Sequence, residues 1–253
     1  MSEFPSVKGQ VAFVVGGAAG IGLACVERFA KEGAKIALLD RDAEGGERAA
    51  DRAQAAGVEA IFVHGEATLR SDVEAAFQTI VGKWGRLDIL VNCAGGFYEA
   101  SNLDRIDDAA WNAMIEWNLT STFLCTKEAV PHMKRAGYGR IVNVSSLAGR
   151  TGILFTALDY ATAKAAVVGF TRRLAVELAP HGITVNSVAP GTVLTPRVAK
   201  LHKDRIDQIR AVIPMGREGR VEEIADGIWY LCTPGASYIT GVALDINGGL
   251  WSG

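Results

Sequence analysis

The chain has little that would carry it into or onto a membrane. One long uncharged stretch, Gln10 to Val26, contains four glycines and falls short of the roughly 20 apolar residues that a spanning helix needs. It reads instead as a strand, a glycine turn and the start of a helix. The first residues, MSEFPSVKG, have neither a basic n-region nor an apolar h-region, so no signal peptide and a cytoplasmic location are expected. Cysteines are few: Cys25, Cys93, Cys125 and Cys232 lie far apart in apolar contexts and form no C-x-x-C pair. That pattern predicts four buried free thiols in a reducing compartment rather than a disulfide framework. The four histidines are equally scattered and offer no ligand set, so no metal is expected. Runs of like charge are missing, and 26 basic against 28 acidic residues leave a net charge of -2. Neither nucleic acid nor an anionic membrane surface is an expected partner. Linkers, low-complexity tracts and internal repeats are missing too, which predicts one domain over residues 1–253.

What is present is globular: 253 residues, 49% hydrophobic and 21% charged, enough to bury a full core. Short apolar runs alternate with helical patterns along the whole length. Strands are predicted at Val11–Val15, Ile36–Leu39, Ala60–Val63, Leu87–Val91, Arg140–Val144, Ile183–Val188 and around Gly241–Ile246. Helices are predicted at Ile21–Lys31, Ala43–Ala56, Asp72–Trp84, Asp108–Lys134, from about Asp159 onward, and at Val221–Leu231. The strands are continuously apolar, as in a parallel sheet covered on both sides. The expected fold is therefore α/β, a doubly wound sheet with helices on both faces.

In such a sheet ligands bind beyond the carboxyl ends of the strands, so residues there carry the functional reading. The first strand runs into glycines at 16, 20 and 22, spaced G-x-x-x-G-x-G. Glycines allow a tight turn and close approach of a pyrophosphate, and the following helix offers free N–H groups and a positive dipole end. Asp40 ends the second strand, 18 residues after Gly22, where a carboxylate can accept from both ribose hydroxyls and repel a 2′-phosphate. This favours NAD over NADP, although Arg41 could stack on adenine or meet such a phosphate. The fourth strand ends in Asn92-Cys93-Ala94-Gly95, and the sixth leads into Pro190-Gly191-Thr192-Val193-Leu194-Thr195. The former allows close approach to a sugar and the latter offers a hydroxyl to a ligand. Asn118, inside a helical region, is a mild misfit because its side chain competes for backbone hydrogen bonds.

Tyr160 and Lys164 stand four residues apart on one predicted helix, hence on one face about a turn from each other. A neighbouring ammonium favours the ionised form of a phenol, and Ser146, at the end of the preceding strand, can bring a hydroxyl to the same place. Three such groups can handle the proton of an alcohol or carbonyl. Alone, the spacing is more commonly that of an ordinary half-exposed helix pair.

Together, VGGAAGIG, Asp40, NCAG, Asn118 in WNLTS, Ser146 in IVNVSS, YATAK and VNSVAPGTVLTP resemble the short-chain dehydrogenase/reductase family from about Lys8 to Gly249. The resemblance implies a Rossmann-type, seven-stranded parallel sheet and an NAD(P)-dependent oxidoreductase in which Asn118, Ser146, Tyr160 and Lys164 form the catalytic set. It implies cofactor contacts at Gly16, Gly20, Ile21, Gly22, Asp40, Arg41, Glu66, Ala67, Asn92, Ala94 and Gly95. Further contacts are implied at Tyr160, Lys164, Pro190, Gly191, Val193 and Thr195. It also implies a homotetramer built through the long helix before the fifth strand and the Tyr160 helix. Ser146 lies 14 residues before Tyr160, one more than that family leads us to expect, with Ser145 a minor rival for the catalytic hydroxyl.

Positions 96–98, 147–158 and 194–213 are expected around the substrate, the last as a helical lid. Phe97, Tyr98, Leu154 and Phe155 point to a partly apolar, cyclic substrate. Arg197, Lys200 and His202 could meet a carboxylate, although a solvated helix face explains them more simply. The expected activity is NAD-dependent interconversion of a small secondary alcohol, cyclic or a sugar-like diol, and its ketone, with Tyr160 as acid/base. The alternatives are NADPH-dependent reduction of a 3-oxoacyl thioester and, from another class, a non-catalytic NAD(H)-binding scaffold.

Overall fold

The computed structural model describes residues 6–152, 156–201 and 206–252. Its strands are β1 Val11–Val15, β2 Lys35–Asp40, β3 Ala60–His64, β4 Ile89–Asn92, β5 Gly139–Val144, β6 Ile183–Pro190 and β7 Ala243–Ile246. Among the described residues these form one seven-stranded sheet in the order β3-β2-β1-β4-β5-β6-β7, every pair parallel. The intervening helices are α1 Gly20–Lys31, α2 Ala43–Ala55, α3 Arg70–Trp84, α4 Asp108–Ile115, α5 Ser121–Ala136 and α6 Leu158–Leu178. Two short helices, α7 Pro196–Leu201 and α8 Ile206–Val212, precede α9 Val221–Cys232.

The apolar strands are buried on both sides, as their unbroken hydrophobicity requires. Along β1, Ala12 and Val14 face a core shared with Val26 and Phe29 of α1 and Ile224 and Ile228 of α9. Val11, Phe13 and Val15 face the opposite core, with Phe77 and Ile80 of α3, Met133 of α5 and Leu178 of α6. This is the two-residue period of a strand read against two helical layers. Phe13 meets Phe77 edge to face, 5.2 Å between ring centres, and each fully buried side chain of this size contributes about 1.5–3 kcal/mol. Among the described residues no helix is long and apolar enough to cross a membrane.

The sheet winds outward from β1 through β2 to β3, then resumes on the other side of β1 with β4. The crevice where strand order reverses therefore lies at the carboxyl ends of β1 and β4. There Val15 aligns with both Leu39 and Asn92, so the glycine turn, Asp40 and the 93–95 segment start at one level.

Several predicted bounds shift by about two residues, and two changes concern how the elements join. The single helix predicted over Asp108–Lys134 is α4 and α5 joined by a wider π-type turn, Glu116–Thr120, with Asn118 inside it. Such a turn is a common response to a side chain that competes for the backbone. Strand β4 starts two residues later than predicted, at Ile89; just before it the Asp88 carboxylate accepts the Val11 N–H at 2.8 Å.

Candidate active site

A cleft of about 940 Å³ opens at the carboxyl ends of the strands. At one end lies the turn from β1 to α1. Gly16 has φ +80°, and a Cβ there would stand 2.7 Å from the Ala94 backbone nitrogen. A Cβ on Gly22 would come within 1.9 Å of the Gly16 carbonyl oxygen. No side chain caps α1, whose N-cap is Ala19, and its first turn carries no acidic residue. The first N–H groups of α1 are thus presented to the cleft beside glycines that leave room for a phosphate. At the end of β2 the Asp40 carboxylate accepts from the Ala18 and Asp42 N–H groups, each at 3.0 Å. This fixes Asp40 at the cleft wall, next to Arg41, Glu66 and Ala67. An acidic group beside an uncapped, glycine-cradled helix start fits the ribose and pyrophosphate of a dinucleotide.

The other end is built from β5 and α6. Past Val144, Ser145 is buried and its hydroxyl donates to the Lys164 carbonyl at 2.8 Å, so it is committed to the backbone of α6. Ser146 caps a short 3-10 turn, Leu147–Gly149, its Oγ accepting from the Ala148 N–H at 3.1 Å. That turn presses on α6: a Cβ on Gly149 would lie 2.5 Å from the Ala165 nitrogen. The close fit brings Ser146 to Tyr160, whose half-buried phenol lies in the first turn of α6. Burial pushes the Tyr160 phenol above its ordinary value, while the Ser146 hydroxyl and the positive charge of Arg197 pull it back down. One turn on, the buried Lys164 ammonium donates to the Val144 carbonyl at 2.8 Å and lies 5.8 Å from the centre of the Tyr160 ring. Burial pushes Lys164 down to about 8.

Asn118 lies behind this wall. Its Oδ1 accepts from the Gly96 N–H at 2.8 Å, and its Nδ2 donates to the carbonyls of Gly96 at 3.0 Å and Met114 at 3.1 Å. It thereby holds the loop that lays the Phe97 ring on Tyr160, 4.8 Å between centres. A Cβ on Gly95 would meet both Asn118 Oδ1, at 2.5 Å, and Lys164 Nζ, at 2.9 Å. That glycine therefore leaves a small space between the amide and the ammonium.

Of the residues expected at the site, Gly16, Gly20, Ile21, Gly22, Asp40, Arg41, Glu66, Ala67, Ala94 and Gly95 line the cleft. So do Ser146, Tyr160, Lys164, Pro190, Gly191, Val193 and Thr195. The side chain of Asn92 does not. It is buried and donates to Thr126 Oγ1 at 3.1 Å and Asn143 Oδ1 at 2.8 Å, so its amide ties β4 to α5 and β5. Cys25, Cys125 and Cys232 are buried as expected, but Cys93 is only partly so and stands in the cleft wall. Tyr98, Leu158 and Leu194 are exposed, at 64%, 40% and 51%, rather than lining the cleft. Leu154, Phe155 and His202 lie outside the described residues, as does part of the expected 194–213 lid. Arg197 is exposed, as the expected helix face implies, and also borders the cleft. Trp117, Thr68, Leu250 and Trp251 join the lining unannounced. Trp117 adjoins the misfit Asn118 in one turn, which was a usable signal; Trp251 is brought in only by the tertiary path after β7.

A family model described as enoyl-(acyl carrier protein) reductase matches residues 16–251. The cis-4-hydroxycyclohexanecarboxylate dehydrogenase of Sinomonas cyclohexanicum is 40% identical over 240 residues, covering 95% of this chain and 96% of that protein. The 3-oxoacyl-[acyl-carrier-protein] reductase FabG of Aquifex aeolicus is 37% identical over 246 residues, 97% of this chain and 98% of its own. Among solved structures, a single-substitution variant of actinorhodin polyketide ketoreductase with NADPH superposes with a TM-score of 0.91 at 36% identity, covering 96% of this chain and 97% of that one. A match of this extent means that the chain belongs to the short-chain dehydrogenase/reductase family, whose members are nicotinamide-dependent oxidoreductases acting on alcohols and ketones.

Proposed function

We propose that the protein is an NAD-dependent dehydrogenase interconverting a small cyclic secondary alcohol and its ketone. The observation that carries this reading is the meeting of Ser146, Tyr160 and Lys164 at one end of a cleft whose other end is the glycine turn and Asp40. A bound nicotinamide supplies the acceptor or donor of the hydride. The Tyr160 phenolate oxygen takes the proton of the substrate hydroxyl in oxidation and returns it in reduction. Ser146 Oγ donates to the same substrate oxygen and keeps it within reach of Tyr160. The Lys164 ammonium stabilises the phenolate from one turn behind, and Asn118, across the space that Gly95 leaves, holds a water that connects Lys164 to solvent. Asp40 receives the adenine-side ribose hydroxyls and repels a 2′-phosphate. Phe97, Leu147 and Trp251 give the substrate end an apolar wall, and the relative acting on a hydroxycyclohexane supports a ring-shaped substrate.

In the same reading the chain is a single domain, its segment 194–213 covers the substrate, and the protein works as a homotetramer in the cytoplasm. A second reading, reduction of a 3-oxoacyl thioester with NADPH, is favoured by Arg41 at the cleft wall and by the acyl carrier protein reductase among the relatives. Against it, the Arg41 guanidinium is engaged, donating to the Tyr98 hydroxyl at 3.0 Å. Absorbance of reduced nicotinamide, followed across cyclic and linear secondary alcohols and 3-oxoacyl thioesters with each cofactor, decides between them. Faster oxidation of cyclic alcohols with NAD is expected. Turnover confined to thioesters with NADPH would overturn the proposal.

A further inference from the structure

We infer that Arg197 is the specificity residue of the substrate end and that it takes a carboxylate carried by the substrate away from its reacting carbon. This rests on the proposed alcohol dehydrogenase reading and adds a chemical class to it.

Arg197 lies in the first turn of α7 and lines the cleft. Its Nη1 donates to the Gly95 carbonyl at 3.2 Å, and its guanidinium lies over the rings of Trp117, at 5.1 Å, and Tyr98, at 5.9 Å. Those two rings are stacked, 5.1 Å between centres. Gly96 makes room for this arrangement, since a Cβ there would stand 2.2 Å from Arg197 Nη1.

Other arginines near this end of the sheet have acidic partners: Arg150 with Asp245, Arg210 with Glu218 and Arg217 with Glu223. Arg197 makes no ion pair among the described residues. A guanidinium has five N–H donors, and a backbone carbonyl and two ring faces leave most of them to the cleft. Exposed at the rim of the cleft and set over two aromatic rings, the guanidinium is free to meet a carboxylate in bidentate fashion.

Its position suits a substrate rather than the cofactor's phosphates. Those belong at the uncapped start of α1; Arg197 shares the Tyr98 and Trp117 rings with Arg41, but its bond to Gly95 sets it on the Gly95–Phe97 loop, whose Phe97 ring lies on Tyr160. Its charge also reaches the Tyr160 phenol. A ring resting on Phe97 with its hydroxyl at Tyr160 would turn its far edge toward Arg197.

The test compares cis-4-hydroxycyclohexanecarboxylate with its neutral carboxamide, using wild type, Arg197→Gln and Arg197→Lys with saturating NAD. The readout is the ratio of the two kcat/KM values, which cancels any effect on folding or cofactor affinity. Wild type is expected to favour the carboxylate by about 10- to 100-fold, the ratio to fall to about 1 in Arg197→Gln, and Arg197→Lys to lie between. A wild-type ratio near 1, or a ratio unmoved in Arg197→Gln, overturns the inference while leaving the dehydrogenase reading intact. If neither compound is turned over, calorimetric titration of the carboxylate into the enzyme–NADH complex decides. Binding that weakens at least about 10-fold in Arg197→Gln upholds the inference as the dehydrogenase reading fails; equal binding by both proteins overturns it.

Discussion

In the proposed reaction Tyr160 has to give up its proton, yet burial pushes its phenol up, with Ser146 and Arg197 pulling the other way. The Lys164 ammonium is directed at the Val144 carbonyl and stands 5.8 Å from the Tyr160 ring; an oxidised nicotinamide, when bound, would add its positive charge to the pull on the phenol. Tyr160→Phe is expected to lower turnover by about a thousandfold or more while NADH fluorescence titration gives an unchanged Kd; substantial residual turnover would remove Tyr160 from the acid/base role. Lys164 makes a separate prediction about stability. Its pKa of about 8 in the folded chain lies below the roughly 10.4 of an unfolded lysine. Between those values the unfolded chain binds more protons, so this site's contribution to stability rises with pH; below about pH 8 the folded protein carries the whole burial cost. The unfolding free energy of wild type relative to Lys164→Met should therefore rise by about 2 kcal/mol between pH 7.5 and pH 10 in urea titrations. A constant difference would mean that Lys164 titrates like a solvated amine. The Tyr160–Lys164 pair was legible in the sequence because helical spacing alone puts both on one face. Arg197 was not: its direction depends on the bend from Thr195 into α7 and on the bare Gly95–Gly96 backbone it reaches, which no local pattern encodes.

The elements were legible where burial sets the period and less so where a side chain overrides it. The seven strands stand close to their expected positions because their unbroken apolar runs fit only a sheet covered on both faces. The join between α4 and α5 escaped because a polar side chain sets it: Asn118 replaces regular helix bonding with bonds to Met114 and Gly96. Removing that amide leaves both polar groups of Gly96 without their partner, a loss of about 1–3 kcal/mol. Asn118→Ala is accordingly expected to lower the melting temperature by roughly 2–10 °C. The same change frees the 95–97 loop that seats Phe97 on Tyr160, so KM for the alcohol should rise as well. A variant that melts like wild type would show that the π-type turn holds itself and that Asn118 is not its fastener.

At the scale of the whole molecule, α6, which brings Tyr160 and Lys164 to the cleft, and its neighbours α4 and α5 also present apolar side chains on their outer surface. Phe123 of α5 is 42% exposed and meets Phe170 of α6 edge to face, 6.4 Å between ring centres. Val176, farther along α6, is 74% exposed, and Trp111 of α4 is 36% exposed. The inner faces of α5 and α6 already fill one core of the sheet, so these outer residues are surplus to the fold of one chain. Aromatic side chains spread over neighbouring helices are what an assembly interface buries. Association through α5 and α6 would brace, from outside, the helix whose first turn carries Tyr160, which ties the oligomer to the active site. Light scattering in line with size exclusion should give four times the chain's 26.8 kDa. Phe123→Glu and Val176→Glu together, placing unpaired charges in that interface, should yield a smaller species with reduced turnover and an unaltered far-UV spectrum. A wild-type protein that elutes as a monomer, or a double variant that keeps both its mass and its activity, would place the interface elsewhere and leave α6 braced by its own chain alone.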